Sequence, residues 1–266
     1  MKRKIGRQEA QVLAYAQMRR LRVVRTGELR EPLGLNAPQE RKVLSRLSRA
    51  GMIARVWRGV YLVPPRLPLG GKWSPGEFLA LDTLMETLGA KFQVCGPNAF
   101  NRYGWEEQVP NRLYACNNRL SGERRVGSVT LMLIKVADER LGDTETFQTP
   151  DGVTAVYASR VRALVDAVYD WSRFGGIPRG YEWIRRELQA KRVSVVELVR
   201  CTLRYGDTGT IRRMGVLLER TGVAAASLRP LARALPPTSS PIPWLPRAAK
   251  RGPINRRWGV VENDRN

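Results

Sequence analysis

The chain has no histidine among its 266 residues. That single absence removes His-ligated zinc, Ser-His-Asp and Cys-His nucleophiles, and imidazole general bases. Cysteine is nearly as scarce. Cys95, Cys116 and Cys201 are widely spaced and form no C-x-x-C pair, so a thiolate metal site is not expected. An odd, sparse set fits a reducing compartment, with all three serving as small apolar core residues. No run of about 18 apolar residues is present, which argues against a membrane-spanning helix. The basic start Met1-Lys2-Arg3-Lys4 leads into Gly6-Arg7-Gln8-Glu9 with no apolar signal core behind it, so export is not expected and the cytoplasm is the expected location. Acidic side chains are also few: 24 against 46 basic ones, a formal net charge of +22. An imbalance of that size speaks of polyanionic partners and of solubility rather than of fold.

What is present is a globular composition, 43% apolar and 26% charged, over a length that suits one large domain or two ordinary ones. The charge is uneven. Residues 1–66 carry sixteen basic and four acidic side chains, while residues 67–266, three times as long, carry thirty and twenty.

The basic end has a readable periodicity. Ala10, Leu13, Ala14, Met18 and Leu21 recur at helical spacing between Gln8 and Leu21, and Val23-Val24-Arg25 is a short extended piece. Thr26 caps a brief second helix that runs through Leu29 to Leu33 and is closed by Gly34. A third helix starts at Asn36, with Pro38 in its first turn and Gln39 completing an approximate capping box. It buries Val43, Leu44, Leu47 and Ala50 and stops at Gly51. Its other faces carry Gln39, Arg41, Lys42, Ser45, Arg46 and Arg49. Two short strands, Met52–Val56 and Val60–Val63, flank a three-residue turn, Trp57-Arg58-Gly59, whose glycine suits a positive φ.

Three helices and a β-hairpin make the plan of a winged helix-turn-helix. The third helix suits the major groove, where Gln pairs with adenine and Lys or Arg with guanine. The expected DNA-binding set is therefore Asn36, Gln39, Arg41, Lys42, Ser45, Arg46 and Arg49 on that helix, with Arg55 and Arg58 on the wing. Gln39 and Lys42 are placed for bases, Arg46 and Arg49 for phosphates, and Arg58 for the adjacent minor groove.

The fold class expected is α+β: a winged helix-turn-helix at residues 1–68, a larger α/β domain at 72–235, and a Pro-rich linker with a basic tail at 236–266. The larger domain has strand-like pieces at 91–95, 112–116, 129–136 and 153–157, a first helix capped by Ser74-Pro75-Gly76-Glu77, and a short helix near Asn98–Tyr103. Helices follow at 159–174, 181–191, 195–205, 211–220 and 227–235. Arg124-Arg125 reads as an exposed hairpin tip. Tyr103, Trp105, Trp171 and Trp183 read as packing residues rather than stacking platforms. Arg160 and Asp166, six apart, fall on different helix faces and do not form an obvious pair.

Several motifs resemble those of the AbiEi-type antitoxins. Arg58-Gly59-Val60-Tyr61 closes the wing as that family's N-terminal domain does. Gly96-Pro97-Asn98-Ala99-Phe100-Asn101-Arg102-Tyr103-Gly104-Trp105, followed by Gln108-Val109-Pro110, is similar to its central block. Thr149-Pro150-Asp151 and Ser159-Arg160-Val161-Arg162-Ala163-Leu164-Val165-Asp166 are similar to the segment entering its Arg/Leu/Asp helix. The resemblance implies a bacterial antitoxin of type IV toxin–antitoxin systems, with a place in phage defence. Its winged helix is expected to bind inverted repeats in its own promoter as a repressor. Its C-terminal domain is expected to counteract a nucleotidyltransferase-like toxin.

No cofactor, metal or membrane partner is expected. A fused nuclease would need an Asp followed by Glu-x-Lys, and none follows Pro150-Asp151. A nucleotidyltransferase would need Gly-Ser and two alternating acids on a strand. Gly127-Ser128, Asp143 and Glu145 approximate that pattern but sit in a Gly/Thr turn region, and read as loop solvation. The chain therefore reads as a binder. Two alternatives stand beside the antitoxin: a stand-alone winged-helix transcription factor with an oligomerisation domain, and, remotely, a metal-dependent DNA-processing enzyme.

Overall fold

A computed structural model describes residues 5–67, 72–237 and 240–264. The boundary expected near residue 70, part of the 236–243 linker and the basic residues 2–4 lie partly or wholly outside that set. The fold is α+β, with 43% of the described residues in helices and 18% in strands.

The chain opens with α1 (Arg7–Met18), β1 (Val23–Arg25), α2 (Arg30–Leu33), α3 (Ala37–Arg49), β2 (Ala54–Trp57) and β3 (Val60–Leu62). The three strands form an antiparallel sheet of order β1-β3-β2. Three helices and a hairpin, with the third strand supplied from between α1 and α2, make a winged helix-turn-helix. Next come α4 (Glu77–Leu88), β4 (Phe92–Val94), α5 (Pro97–Arg102), β5 (Leu113–Asn117), β6 (Gly122–Val126), β7 (Val129–Lys135), β8 (Thr144–Gln148) and β9 (Thr154–Ala158). These six strands form a mixed sheet of order β6-β7-β5-β4-β9-β8. β5 and β7 run parallel, β4 and β9 run parallel, and β6 and β7 form an antiparallel hairpin. Helices α6 (Arg160–Tyr169), α7 (Trp171–Phe174), α8 (Arg179–Gln189), α9 (Val195–Tyr205), α10 (Thr208–Arg220) and α11 (Ala225–Arg233) follow. Three two-residue strands end the chain: β10 (Ile242–Pro243), β11 (Ile254–Asn255) and β12 (Val260–Val261). Among the described residues, no helix is long and apolar enough to cross a membrane.

The chain divides into two compact units. The first comprises Met1–Phe92, Asn111–Leu141 and Thr146–Val156, and so holds the winged helix together with α4, β5, β6 and β7. Its winged-helix core joins Val12, Leu13 and Ala16 of α1, Val24 of β1, Val43, Leu44 and Leu47 of α3, and Met52, Ile53 and Tyr61 around the hairpin. Leu44 and Leu47 are fully buried, and each such leucine contributes roughly 1.5–3 kcal/mol. α4 lies against both β2 and β7, burying Leu81, Leu84 and Met85.

The second unit comprises Gln93–Pro110, Gly142–Glu145 and Tyr157–Asn266. It is largely helical, with α6 packed against α8, α9 and α10. An aromatic cluster gathers Phe100, Trp105 and Trp183, the two indoles stacked at 5.7 Å between ring centroids. Three expectations change along the chain. The helix expected over 159–174 breaks at Asp170, which accepts from the amides of Arg173 and Phe174 through its backbone carbonyl as α7 begins. Strands β6 and β8 form where none was expected. The residues read as an extended tail are folded: Trp244 and Trp258 are each 1% exposed. Trp244 stacks on Tyr181 at 3.9 Å, and a Cβ on Gly215 would come within 2.2 Å of the Trp258 ring, so α10 needs glycine there to admit the indole.

Candidate nucleic-acid interface

α3 shows one apolar stripe and one cationic face. Its N-terminus is closed by reciprocal bonds: Asn36 Oδ1 accepts from the Gln39 amide and Gln39 Oε1 accepts from the Asn36 amide, both at 2.9 Å. This alters the reading of Gln39. A bidentate pair with adenine needs the same oxygen, so while the cap is closed Gln39 offers only its NH2 group. Asn36, Gln39, Arg41, Lys42, Arg46 and Arg49 are exposed, and Ser45 is half-buried. Among the described residues, Arg41, Lys42, Arg46 and Arg49 have no carboxylate partner, so their charge faces outward uncompensated. Lys42 is left as the base-reading candidate nearest the helix start.

The wing supplies Arg55 and Arg58, both exposed. Trp57 pairs with Val60, so the turn is the two residues Arg58-Gly59, with Gly59 at φ +72°. The ladder shifts register between Arg55 and Trp57, and Arg55 Nε donates to the Trp57 carbonyl at 3.2 Å. Such a bulge re-aims the side chains of a short edge. The wing tip is tied down: the Thr26 amide donates to the Gly59 carbonyl at 2.8 Å.

Two residues that position this surface are absent from the expected set. The first is Glu40, fully buried, whose Oε1 accepts from the amides of Gly27 (2.8 Å) and Leu29 (3.1 Å) and whose Oε2 accepts from Arg30 Nε at 3.0 Å. These bonds occupy two of the N–H groups of the segment 26–29, which is a turn, and α2 begins only at Arg30 rather than after Thr26. The position was legible: Glu40, Val43, Leu44 and Leu47 follow i, i+3, i+4, i+7, so Glu40 stands on the buried stripe and needs partners there. Glu40-Arg41-Lys42 is also the Glu-x-Lys of this chain, and its carboxylate is already fully engaged.

The second is Arg124, whose guanidinium lies 4.6 Å from the Trp57 ring centre. Arg124 and Arg125 are within strand β6, which lies against β2, so they are not a hairpin tip. The turn is Gly127-Ser128 instead, where the Ser128 amide donates to Ser74 Oγ at 3.0 Å. The exposed polar sequence of an edge strand hides this contact. Arg124→Ala is expected to lower duplex affinity about two- to fivefold by loosening the wing, the equivalent of 0.5–1 kcal/mol for a partly exposed cation–π contact. Fluorescence anisotropy reads this directly, and an unchanged affinity would remove Arg124 from the argument.

In the second unit the tempting groups are structural. Trp105 is 7% exposed and Tyr103 donates from its hydroxyl to the Ala158 carbonyl at 2.8 Å. Arg160 pairs with Glu187, and Arg162, not Arg160, pairs with Asp166, four residues on, at 2.9 Å. Asp143 Oδ1 accepts from the Ser159 hydroxyl and Glu145 accepts from the Arg160 amide, so both brace the start of α6 rather than solvate a loop. Among the described residues, no group of three or more His, Cys, Asp or Glu side chains could hold a metal ion. The three cysteines are all buried.

Comparison with known proteins agrees with this geometry. The chain is similar in fold to the crystal structure of the RV2827C protein from Mycobacterium tuberculosis, with a TM-score of 0.59 and 16% identity over 97% of this chain and 92% of that one. No curated protein matches it in sequence. Residues 11–64, from α1 to the end of the wing, match the family described as "Transcriptional regulator, AbiEi antitoxin". The match covers the winged helix-turn-helix, and that segment is similar to transcriptional regulators of the AbiEi antitoxin type.

Proposed function

We propose that this protein is an antitoxin that reads duplex DNA with α3 and the wing, represses its own promoter at inverted repeats, and counteracts a nucleotidyltransferase-like toxin. One observation carries the DNA reading: the side of α3 opposite Val43, Leu44 and Leu47 presents Arg41, Lys42, Arg46 and Arg49, exposed and without carboxylate partners among the described residues. A helix so divided lays its apolar side on its own core and offers its charged side to phosphates. Lys42 reads a base edge; Arg46, Arg49, Arg55 and Arg58 hold the backbone and the minor groove. Inverted repeats place two copies on one operator. The chain acts in the cytoplasm, where operator and toxin both lie.

Footprinting of the intact protein on the DNA preceding its own reading frame tests this. Lys42→Ala is expected to relax preference at one base position, at about 1–3 kcal/mol of lost discrimination. Arg49→Ala and Arg58→Ala are expected to weaken all sequences alike, each lowering the salt slope by about one. Protection that survives unchanged in an Arg46→Ala/Arg49→Ala/Arg58→Ala variant would overturn the placement of helix and wing. The antitoxin half is tested by co-expression with a neighbouring nucleotidyltransferase-like gene. Growth rescue supports it, and failure to rescue leaves a regulator of transcription alone.

A further inference from the structure

The C-terminal residues carry a second cationic surface that the winged helix does not explain. We propose that the loop at residues 245–253 is a second site for the sugar–phosphate backbone of duplex DNA, with Arg247, Lys250 and Arg251 as its phosphate ligands.

The loop is built rather than loose. Asn263 fixes its path, with Oδ1 accepting from the Leu245 amide at 2.8 Å and Nδ2 donating to the carbonyls of Leu245 and Ala249, both at 3.0 Å. Gly252 sits at φ +144°, and a Cβ there would come within 2.6 Å of the Glu262 carbonyl oxygen, so only glycine allows this close return. Pro246 and Pro253 stiffen the two ends. Trp244 precedes the loop and Trp258 follows it, each buried, so the segment is anchored on both sides. Ordering a polar loop to this degree costs entropy that solvation alone does not require.

The charges are sorted as well. The carboxylates around the loop are engaged by other groups: Glu262 and Asp264 pair with Arg220, and Glu219 pairs with Arg257 while accepting from Asn255 and the Trp258 indole. Arg247, Lys250 and Arg251 are exposed and, among the described residues, have no carboxylate partner. Three like charges within five residues make a local positive potential that attracts a polyanion. The loop, Leu245-Pro246-Arg247-Ala248-Ala249-Lys250-Arg251-Gly252-Pro253, has no aromatic residue. It therefore lacks the stacking platform that single strands need, and suits phosphate contact without base readout.

The test uses the full chain and a short random-sequence DNA duplex, with affinity measured by anisotropy across a salt series. In an Arg247→Ala/Lys250→Ala/Arg251→Ala variant, the slope of log affinity against log salt is expected to fall by about 2 to 3. From about 50 to about 200 mM salt, the parent then loses about 40-fold more affinity than the variant. Arg247→Lys/Arg251→Lys is expected to keep the parent slope, which separates lost charge from a disturbed loop. An unchanged slope in the alanine variant overturns the proposal and leaves the α3 reading intact. A loss confined to an RNA duplex of equal length overturns the assignment to DNA. Absence of any duplex binding by the parent overturns both readings.

Discussion

Glu40→Ala is expected to destabilise the winged helix by about 3 kcal/mol, the low end for a broken buried pair because the Arg30 side chain keeps 46% exposure and can rehydrate, and to abolish sequence-specific DNA binding with it. The buried carboxylate satisfies the amides of Gly27 and Leu29 and the Nε of Arg30. Alanine leaves the Leu29 amide buried without an acceptor, at roughly 1–3 kcal/mol, and releases a charge-assisted bond to Arg30. The consequence is directional, because these bonds join α3 to the turn before α2, the joint on which a helix-turn-helix depends for presenting its third helix. Glu40→Gln keeps one acceptor oxygen but turns an NH2 toward donors, and is expected to fall between parent and alanine. Urea melts followed with operator binding check this. A stable Glu40→Ala protein that still binds its operator would show that the turn is held by packing alone.

Legibility of the fold followed local chemistry. α9 begins and ends at the residues expected, because Ser194 and Glu197 form a capping box within four residues of sequence, the Glu197 amide donating to Ser194 Oγ. α3 was readable for the same reason, from Asn36 and Gln39. β6 (Gly-Glu-Arg-Arg-Val) and β8 (Thr-Glu-Thr-Phe-Gln) were not, and the strand order explains it: they are the two ends of the six-stranded sheet. An edge strand is held mainly by its backbone ladder and need not alternate apolar with polar. Trp244 and Trp258 stand among prolines and arginines with no periodic neighbours, so only the tertiary slots at Tyr181 and Gly215 reveal them as core. In the candidate site, the outward cations were visible as the complement of the apolar stripe. Trp57 beneath Arg124 was not, since the two residues are far apart in sequence and β6 itself carried no strand signal.

Glu187→Ala carries the second large effect, in the other unit. The carboxylate is fully buried at the end of α8 and accepts four bonds: from the Trp105 indole (2.8 Å) and Arg192 (3.0 Å) on Oε1, and from Arg160 (3.0 Å) and Arg192 (2.9 Å) on Oε2. Burial by itself would raise its pKa, but the hydrogen bonds from Arg192 and Trp105 and the charge of Arg160 outweigh it and hold the carboxyl below its ordinary 4.5. A carboxyl whose folded pKa is depressed adds stability above its unfolded pKa and loses it as pH falls through the folded value. The parent is thus expected to lose part of its stability below about pH 4.5, a loss that Glu187→Gln blunts. At neutral pH, Glu187→Ala is expected to cost about 3 kcal/mol, the low end for a broken buried pair. The low end applies because the Arg160 and Arg192 side chains keep 29% and 52% exposure and can rehydrate, whereas the Trp105 N–H cannot. Urea melts at neutral and acidic pH check both statements; an acid slope identical in Glu187→Gln would assign the pH dependence to other carboxylates. The same bonds explain the Gly104-Trp105 step of the central motif in physical terms: the indole is fixed on one side by stacking with Trp183 and on its polar edge by Glu187, so this motif specifies a joint in the core of the second unit and not a surface that reads nucleic acid.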